Sequence, residues 1–241
     1  MKRVLDIIAS FIGLVVASPI LIPVMFLVWK QDRYSPFYIA PRVGKNEKTF
    51  NMVKLRSMVV NADKSGVDST AGTDARITPV GHFIRKYKLD EFTQLWNVLL
   101  GDMSLVGPRP NVKRETDLYT EDEKKLLSVK PGITDIASIV FSDEGDILAD
   151  KDDPDMAYNQ LIRPWKSRLG LLYIKNQNTV LDLKLIFLTI IAIVNREKAL
   201  YKVHSILDGL KAEPQVIEVS TRKEPLIPFP PPGSDQIVMQ R

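Results

Sequence analysis

The chain of 241 residues lacks cysteine altogether and has only two histidines. Without thiols it can form neither a disulfide framework nor a cysteine-ligated metal site. His82 and His204 stand far apart in the sequence, which argues against a histidine-rich zinc centre. The chain also lacks a long basic run and the aromatic and basic signature of an RNA-binding module, so nucleic acid is not an expected partner. Its formal net charge of +4 suits an acidic partner instead, such as phosphate groups or an anionic membrane surface.

A nearly continuous apolar run occupies residues 4–29. It is long enough to cross a bilayer, which takes about 20 residues. Pro19 and Pro23 interrupt its middle, and each proline removes an amide donor and clashes with the preceding turn, so a kink is expected. A helix that bends at Ser18-Pro19 and returns to the same membrane face would fit, with the Ser18 hydroxyl bonding a carbonyl left unpaired by the kink. Basic residues flank both ends of the run, so the positive-inside rule favours no orientation.

Two other interpretations of this run stay open. An ordinary spanning helix meets the same length requirement. A cleaved signal peptide would also begin with a short basic region and an apolar core, although Pro19 follows the expected cut after Ala17-Ser18 and the apolar run continues past it. We favour the kinked form and divide the chain into an anchor (residues 1–33), a folded domain (34–200) and a C-terminal extension (201–241).

Strand and loop signals follow the anchor. Residues 37–39 and 50–53 have strand composition and flank a polar turn at 44–47, which predicts a β-hairpin. Residues 61–77 are polar and contain glycine, so they are expected to form a loop.

The remaining pattern predicts a small α+β, helix-rich domain. Apolar spacing and charge predict helices over 80–87, over 92–100 with a stop at Gly101, over 121–129, and over 180–194. The last of these is too short to span a membrane and is expected to be a core or interfacial helix. The acid-rich stretch 143–155 is expected to be a solvated loop, and the proline-rich chain from Pro214 onward a disordered tail.

An acidic pair, Asp90-Glu91, stands at the start of the helix that stops at Gly101. In the ordinary interpretation, Asp90 caps the first free amides and Glu91 favours the positive end of the helix dipole. In the chemical interpretation, one of the two carboxylates attacks phosphorus and its neighbour holds a divalent cation. Aspartate is an established covalent nucleophile in phosphoryl chemistry. Magnesium prefers one or two carboxylates together with phosphate oxygens, so both residues are candidate ligands of Mg²⁺.

Cationic side chains around the pair strengthen the chemical interpretation. A diphosphate repels an attacking carboxylate unless cations neutralise its charge. Any single basic residue is more often an ordinary surface charge. Arg109 stands out because prolines on both sides stiffen its backbone and pre-position the guanidinium for a bidentate phosphate contact. The candidates for binding phosphate are Lys54, Arg56, Arg85 and Arg109.

The ordered series of motifs resembles one family, the bacterial sugar transferases, also called monotopic phosphoglycosyl transferases or polyprenyl-phosphate sugar-1-phosphate transferases. The resemblance covers residues 1–195. It rests on Asp6, Ser18-Pro19, Arg85 and the segments 42–44, 54–58, 89–91, 94–98, 101–104, 106–110, 131–134 and 182–184. The chain departs from the family at Asp135 and Gly170, where many members have glycine and an acidic residue respectively. These departures leave the identity of the sugar open.

The resemblance implies a re-entrant membrane helix among membrane lipids and a catalytic unit, over 34–200, on the cytoplasmic face of the bacterial inner membrane. It implies transfer of a sugar-1-phosphate from a UDP-sugar to polyprenyl (undecaprenyl) phosphate with Mg²⁺, as the first membrane step of surface polysaccharide or glycoconjugate synthesis. By the same resemblance, Asp90 forms a phosphosugar-aspartyl intermediate and releases UMP, and Glu91 assists with the metal. Arg85 and Arg109 contact phosphates, with Lys54 near the same site.

Three further expectations complete the sequence analysis. A homodimer is compatible with the sequence. A membrane-anchored but catalytically silent scaffold is the first rival function, and the intact motifs argue against it. A secreted or periplasmic domain behind a signal peptide is the second.

Overall fold

The computed structural model describes residues 2–65 and 74–240. Its α-helices are α1 (Lys2–Asp32), α2 (Pro79–Lys86), α3 (Leu89–Phe92), α4 (Leu95–Leu100), α5 (Lys113–Thr116), α6 (Glu121–Lys124), α7 (Ile136–Val140), α8 (Glu144–Ile147), α9 (Pro154–Ala157), α10 (Arg163–Asn176), α11 (Thr179–Val194), α12 (Arg196–Gly209) and α13 (Pro214–Ser220). Its strands are β1 (Phe37–Val43), β2 (Thr49–Leu55), β3 (Ser104–Val106) and β4 (Gly132–Thr134). Short 3₁₀ turns cover Lys45–Glu47, Ala62–Ser65 and Lys125–Ser128, and a π-helical turn covers Tyr158–Ile162. Part of the loop predicted over 61–77, residues 66–73, lies outside the described residues.

Helix α1 continues through both of its prolines. Pro19 has no amide hydrogen to donate to the carbonyl of Val15, four residues earlier. The hydroxyl of Ser18 donates to that carbonyl instead, at 2.7 Å, as the sequence analysis expects. By length and composition α1 is long and apolar enough to cross a membrane, and among the described helices it is the one that meets this test.

Both ends of α1 are attached to the same folded unit. At its start, the ammonium of Lys2 lies 2.6 Å from a carboxylate oxygen of Asp182 in α11. At its end, Asp32 forms a bidentate ion pair with Arg56, with nitrogen–oxygen distances of 2.6 and 2.8 Å. Two segments far apart in the sequence, around Arg56 and Asp182, therefore hold the two ends of α1.

The predicted β-hairpin is confirmed. Strands β1 and β2 pair antiparallel, with Phe37 opposite Leu55 and Val43 opposite Thr49. The turn between them closes with a hydrogen bond from the amide of Gly44.

A second sheet positions the loop that carries Arg109. Strands β3 and β4 pair parallel, with Ser104 opposite Gly132. The backbones of Gly107 and Gly132 approach so closely that a Cβ at position 132 would lie 2.1 Å from the amide nitrogen of Gly107. Glycine is required there because no other residue leaves room for this contact. Beyond the sheet, buried side chains of α7, α10, α11 and α12, such as Leu169, form the largest core cluster of the described residues.

The acidic stretch 143–155 differs from the predicted solvated loop. Asp143 lies 2.9 Å from Arg196 and 3.4 Å from Arg222, and Asp155 is buried. The expectation of a solvated loop is wrong for these residues because their cationic partners come from distant parts of the chain, which local composition does not reveal.

The tail from Pro214 onward also differs from the predicted disorder. Helix α13 begins it, and farther along the ring of Phe229 stacks on Trp165 with a centroid separation of 4.4 Å. Arg168 donates to the carbonyl of Pro230 at 2.9 Å. A proline-rich segment has few amides to pair with itself, so these contacts with α10 order its path. The domain boundaries at residues 33 and 200 stay predictions.

Candidate active site

Asp90 and Glu91 lie in the first turn of α3, directly after Lys88. Lys88 has a left-handed backbone with φ of 54°, which is rare for a residue with a side chain and tends to mark functional sites. Lys88 occupies the N-cap position, so Asp90 is not the helix cap that the ordinary interpretation expects. Within the described part of the chain, no donor bonds to the carboxylate of Asp90. The carboxylate is half-buried and available for another partner.

Side-chain hydrogen bonds bring α3 and α4 onto strand β2. The hydroxyl of Thr93 donates to the carbonyl of Val53 at 3.2 Å. The amide group of Asn97 accepts from the backbone nitrogen of Val53 at 2.9 Å and donates to the carbonyl of Asn51 at 2.7 Å. Lys54 follows Val53 on the same strand, and its charge interacts with Asp90. The sequence analysis included Asn97 in a motif without predicting this bridging role.

Arg109 meets Glu91 directly. A terminal nitrogen of Arg109 lies 3.2 Å from a carboxylate oxygen of Glu91, and another donates to the carbonyl of Ile133. Burial alone would raise the pKa of Glu91, but Arg109 and Lys88 outweigh it and hold the pKa below its usual value. Burial would lower the pKa of Arg109, but the charge of Glu91 raises it. The pair is therefore ionised, as a metal ligand and a phosphate-binding cation need to be.

The environment of Asp90 shifts the pKa of its carboxyl group upward, in the opposite direction to that of Glu91. Burial raises the pKa of Asp90, and the charge of Glu91 adds to this, while Lys54 and Arg85 oppose it. Burial also lowers the pKa of Lys54. A poorly solvated carboxylate among cations, with a perturbed pKa, is typical of a functional group. The structure thus brings together five of the predicted site residues, namely Lys54, Arg85, Asp90, Glu91 and Arg109.

Arg85 and Arg56, the other two arginines predicted to bind phosphate, have different partners. Arg85 donates to the hydroxyl of Ser57 at 3.1 Å, and its charge interacts with Asp90. Arg56 is buried and commits both terminal nitrogens to Asp32. Its predicted role in binding phosphate stays a prediction, and its contacts indicate that it fastens the end of α1.

The carboxylates at this site suit one kind of metal. Among residues 2–65 and 74–240, no group of three or more histidine, cysteine, aspartate or glutamate side chains could hold a metal ion. Asp90 and Glu91 supply two carboxylates, and Mg²⁺ commonly binds through one or two carboxylates plus substrate phosphates. The donor set fits a magnesium ion that binds together with a diphosphate.

A polar cavity opens beside Arg109. Its charged and polar lining includes Arg109, Asn111, Asp135, Ser138, Tyr158 and Lys166. Burial raises the pKa of Asp135, while bonds from Ser138 and the charges of Lys166 and Arg109 act against the rise. The sequence analysis noted Asp135 only as a departure from the family, and Ser138 and Lys166 carried no motif that could have identified them.

A buried ion pair supports one wall of this cavity. The side chains of Arg163 and Glu123 are 2% and 0% exposed, and their charged atoms lie 2.5 Å apart. Glu123 also accepts from the hydroxyl of Ser167 at 2.6 Å, and Arg163 donates to the side-chain oxygen of Asn159 at 2.8 Å. This network could not be predicted from the sequence because its members come from two segments that lie far apart along the chain.

Known proteins resemble this chain over most of its length. The sequence profile of the family described as Bacterial sugar transferase matches residues 1–196. An "Uncharacterized sugar transferase" of Haemophilus influenzae is 34% identical over 215 residues, which cover 83% of this chain and 42% of the relative. The "Undecaprenyl-phosphate galactose phosphotransferase" of Salmonella typhimurium is 34% identical over 214 residues, or 83% of this chain and 41% of the relative.

A shorter relative aligns over more of its own length. The "Putative undecaprenyl-phosphate N-acetylgalactosaminyl 1-phosphate transferase" of Bacillus subtilis is 42% identical over 133 residues, which cover 55% of this chain and 70% of the relative. The chain therefore spans less than half of the Haemophilus and Salmonella relatives, at 42% and 41% of their lengths.

Proposed function

This chain belongs to the bacterial sugar transferase family, and from that membership we propose that it transfers a sugar-1-phosphate from a UDP-sugar to polyprenyl (undecaprenyl) phosphate. The observation that carries the proposal is the half-buried carboxylate of Asp90, which has no hydrogen-bond donor among the described residues and interacts with the charges of Lys54 and Arg85. The names of the Salmonella and Bacillus relatives describe the same class of reaction. The reaction begins the synthesis of a surface polysaccharide or glycoconjugate.

In the first half-reaction, a carboxylate oxygen of Asp90 attacks the phosphorus that carries the sugar. A bond forms between this oxygen and phosphorus, and the bond from phosphorus to the oxygen bridging to UMP breaks. UMP leaves with that electron pair. In the second half-reaction, an oxygen of polyprenyl phosphate attacks the same phosphorus and displaces Asp90. An acyl-phosphate intermediate splits one difficult transfer into two easier ones and leads to ping-pong kinetics.

The neighbouring charges have separate roles in this scheme. Lys54, Arg85 and Arg109 offset the negative charge of the diphosphate, so that the carboxylate of Asp90 can approach phosphorus. Glu91, kept ionised by Arg109, and Asp90 would hold Mg²⁺. A bound Mg²⁺ would polarise the phosphate oxygens and stabilise the charge that develops on them.

Membrane attachment through a re-entrant α1 is supported by the contacts at its two ends. A straight helix of this length measures about 46 Å, longer than the roughly 30 Å hydrocarbon core of a bilayer. A crossing helix would carry its ends to opposite faces, whereas Lys2 and Asp32 both bond to one folded unit. We therefore propose that both ends of α1 lie on one face of the inner membrane. That this is the cytoplasmic face is what the family resemblance implies. Exposed apolar side chains of α1 and α11, such as Phe11 and Phe187, would contact membrane lipids. A homodimer stays a prediction.

The topology can be tested with single cysteines, because the natural chain has none. We expect cysteines that replace Lys2 and Ser35 to react with an impermeant thiol reagent from the same side of inner-membrane vesicles. Reaction from opposite sides would restore the spanning-helix interpretation.

The reaction is tested with the full chain in lipid nanodiscs. Purified protein is incubated with Mg²⁺, polyprenyl phosphate and a panel of UDP-sugars, and UMP is measured. We expect UMP from at least one donor, and without acceptor a burst of no more than one equivalent per chain. Asp90→Asn should lower turnover by at least about 10³-fold, as loss of a nucleophile does, whereas Asp150→Asn, at an exposed acidic position, should leave it unchanged.

Two outcomes would contradict this scheme. No UMP from any donor would favour the silent scaffold. Undiminished turnover in Asp90→Asn would refute the covalent role of Asp90.

A further inference from the structure

We propose that the polar cavity beside Arg109 receives the sugar of the donor, and that Asp135 is a specificity-determining residue that accepts hydrogen bonds from the sugar hydroxyls. The sugar class that fits is a neutral hexose or N-acetylhexosamine. This inference rests on the proposed function, because the sugar reaches the cavity only if the diphosphate binds at Arg109.

Arg109 connects the cavity with the acidic pair. Its guanidinium pairs with Glu91 at 3.2 Å, and the same residue lines the cavity together with Asp135. A diphosphate held between Arg109 and Asp90 therefore lies at the mouth of the cavity. The phosphorus attacked by Asp90 is the one that carries the sugar, so the sugar is the part of the donor attached at that point.

The hydrogen bonds of Asp135 leave one of its oxygens available. Oδ1 accepts from both the amide and the hydroxyl of Ser138, at 2.6 and 2.5 Å. Oδ2 accepts no hydrogen bond from the described residues, although the residue is only 3% exposed. Oδ2 is not among the fully buried polar atoms that lack a partner, so it is open to a ligand in the cavity. Sugar hydroxyls would supply the missing donors.

A neighbouring cavity helps to decide which part of the donor belongs here. It shares Pro108, Arg109, Asn111, Tyr119 and Leu126 with the polar cavity, and the rest of its lining, which includes Leu127 and Val129, is apolar. Such a lining offers few partners for the many hydroxyls of a sugar. The carboxylate, hydroxyl and amide groups of the polar cavity match a sugar better.

The charges of the polar cavity also exclude one class of sugar. The ammonium of Lys166 is already paired with Glu144 and lies 5.3 Å from the ring centroid of Tyr158. Because Lys166 is paired with Glu144 and Arg109 with Glu91, the carboxylate of a uronic acid would meet the like charge of Asp135. Neutral sugars are therefore accepted and uronic acids rejected.

Asp135→Asn is the informative substitution. Asp135 is the N-cap of α7, and asparagine caps a helix about as well as aspartate, so the local fold is retained. Asp153→Asn is the matched control, because Asp153 caps α9 by the same bond to the third residue of its helix and does not line the polar cavity.

The full chain in nanodiscs is assayed for UMP release from UDP-glucose, UDP-N-acetylglucosamine, UDP-N-acetylgalactosamine and UDP-glucuronic acid, and its affinity for UDP is measured by calorimetry. For Asp135→Asn we expect kcat/KM with the preferred neutral donor to fall about 10-fold, because a charged acceptor bonds a hydroxyl more strongly than a neutral one. The discrimination against UDP-glucuronic acid should shrink. UDP lacks the transferred sugar and makes no contact with Asp135 in this scheme, so its affinity should stay within about twofold. Asp153→Asn should match the natural chain throughout.

Unchanged donor ratios in Asp135→Asn, or an equal loss for all donors together with weaker UDP binding, would overturn the sugar assignment. The proposed function would survive that result, since UMP would still be released in an Asp90-dependent manner. Absence of UMP from every donor with the natural chain would refute both.

Discussion

The buried ion pair between Arg163 and Glu123 allows a stability prediction with a defined magnitude. In Arg163→Met, the carboxylate of Glu123 stays buried and keeps only two donors, the hydroxyl of Ser167 and the backbone amide of Thr120. Removing one partner of a buried pair costs about 3–5 kcal/mol. For a chain of this size each kcal/mol lowers Tm by about 2–4 °C, so we expect a decrease of roughly 6–20 °C.

Thermal unfolding of the full chain in detergent, followed by tryptophan fluorescence and circular dichroism, measures this decrease. Lys125→Met is the matched control: it removes the exposed ion pair with Asp122 near the same helix, α6. Exposed pairs contribute less than about 1 kcal/mol, so its Tm should change by no more than about 4 °C. In the double variant Glu123→Leu with Arg163→Met, much of the stability should return, because no buried charge is left unpaired.

The reasoning would be refuted if Arg163→Met lowered Tm no more than Lys125→Met does. It would also be refuted if adding Glu123→Leu to Arg163→Met lowered the stability further, by the full cost of losing the Glu123 side chain, instead of restoring it. Either result would mean that the charge of Glu123 is compensated by groups other than Arg163.

Two further predictions concern pH. The bond from Arg56 lowers the pKa of Asp32 below its usual value, so this carboxylate stabilises the folded chain above its unfolded pKa and loses that effect as the pH falls through the folded pKa. The urea midpoints of the natural chain and of Asp32→Asn should therefore differ at pH 7 and converge below about pH 4. A gap between the two midpoints that stays constant with pH would contradict this. Burial favours a raised pKa of Glu91, and the charge of Arg109 outweighs the effect of burial. In Arg109→Gln the pKa of Glu91 should therefore rise, and the acid limb of the pH profile of kcat/KM should move to higher pH. An acid limb that does not move would show that Glu91 does not control this limb.

Features set by neighbouring residues were predictable. The β-hairpin follows from two strand-like segments around a polar turn. The helix stop follows from glycine at position 101, which readily adopts the left-handed φ of 96° found there. The bond from Ser18 to Val15 follows from the missing amide of Pro19, because it involves one helical turn. The acidic stretch 143–155 was misjudged for the complementary reason, since its cationic partners lie far along the chain.

By itself, the sequence indicated which groups are candidates to react, the carboxylates of Asp90 and Glu91. It also predicted a long apolar helix at the start, which the structure has. Only the tertiary structure decided which cations lie beside these carboxylates. Arg109 pairs with Glu91, while Arg56, two positions from Lys54, is committed to Asp32. Helical periodicity and proline stereochemistry act over a few residues and can be read locally. Ion pairing and burial depend on which distant segments pack together, so the polar cavity and its Asp135 emerge only from the folded chain.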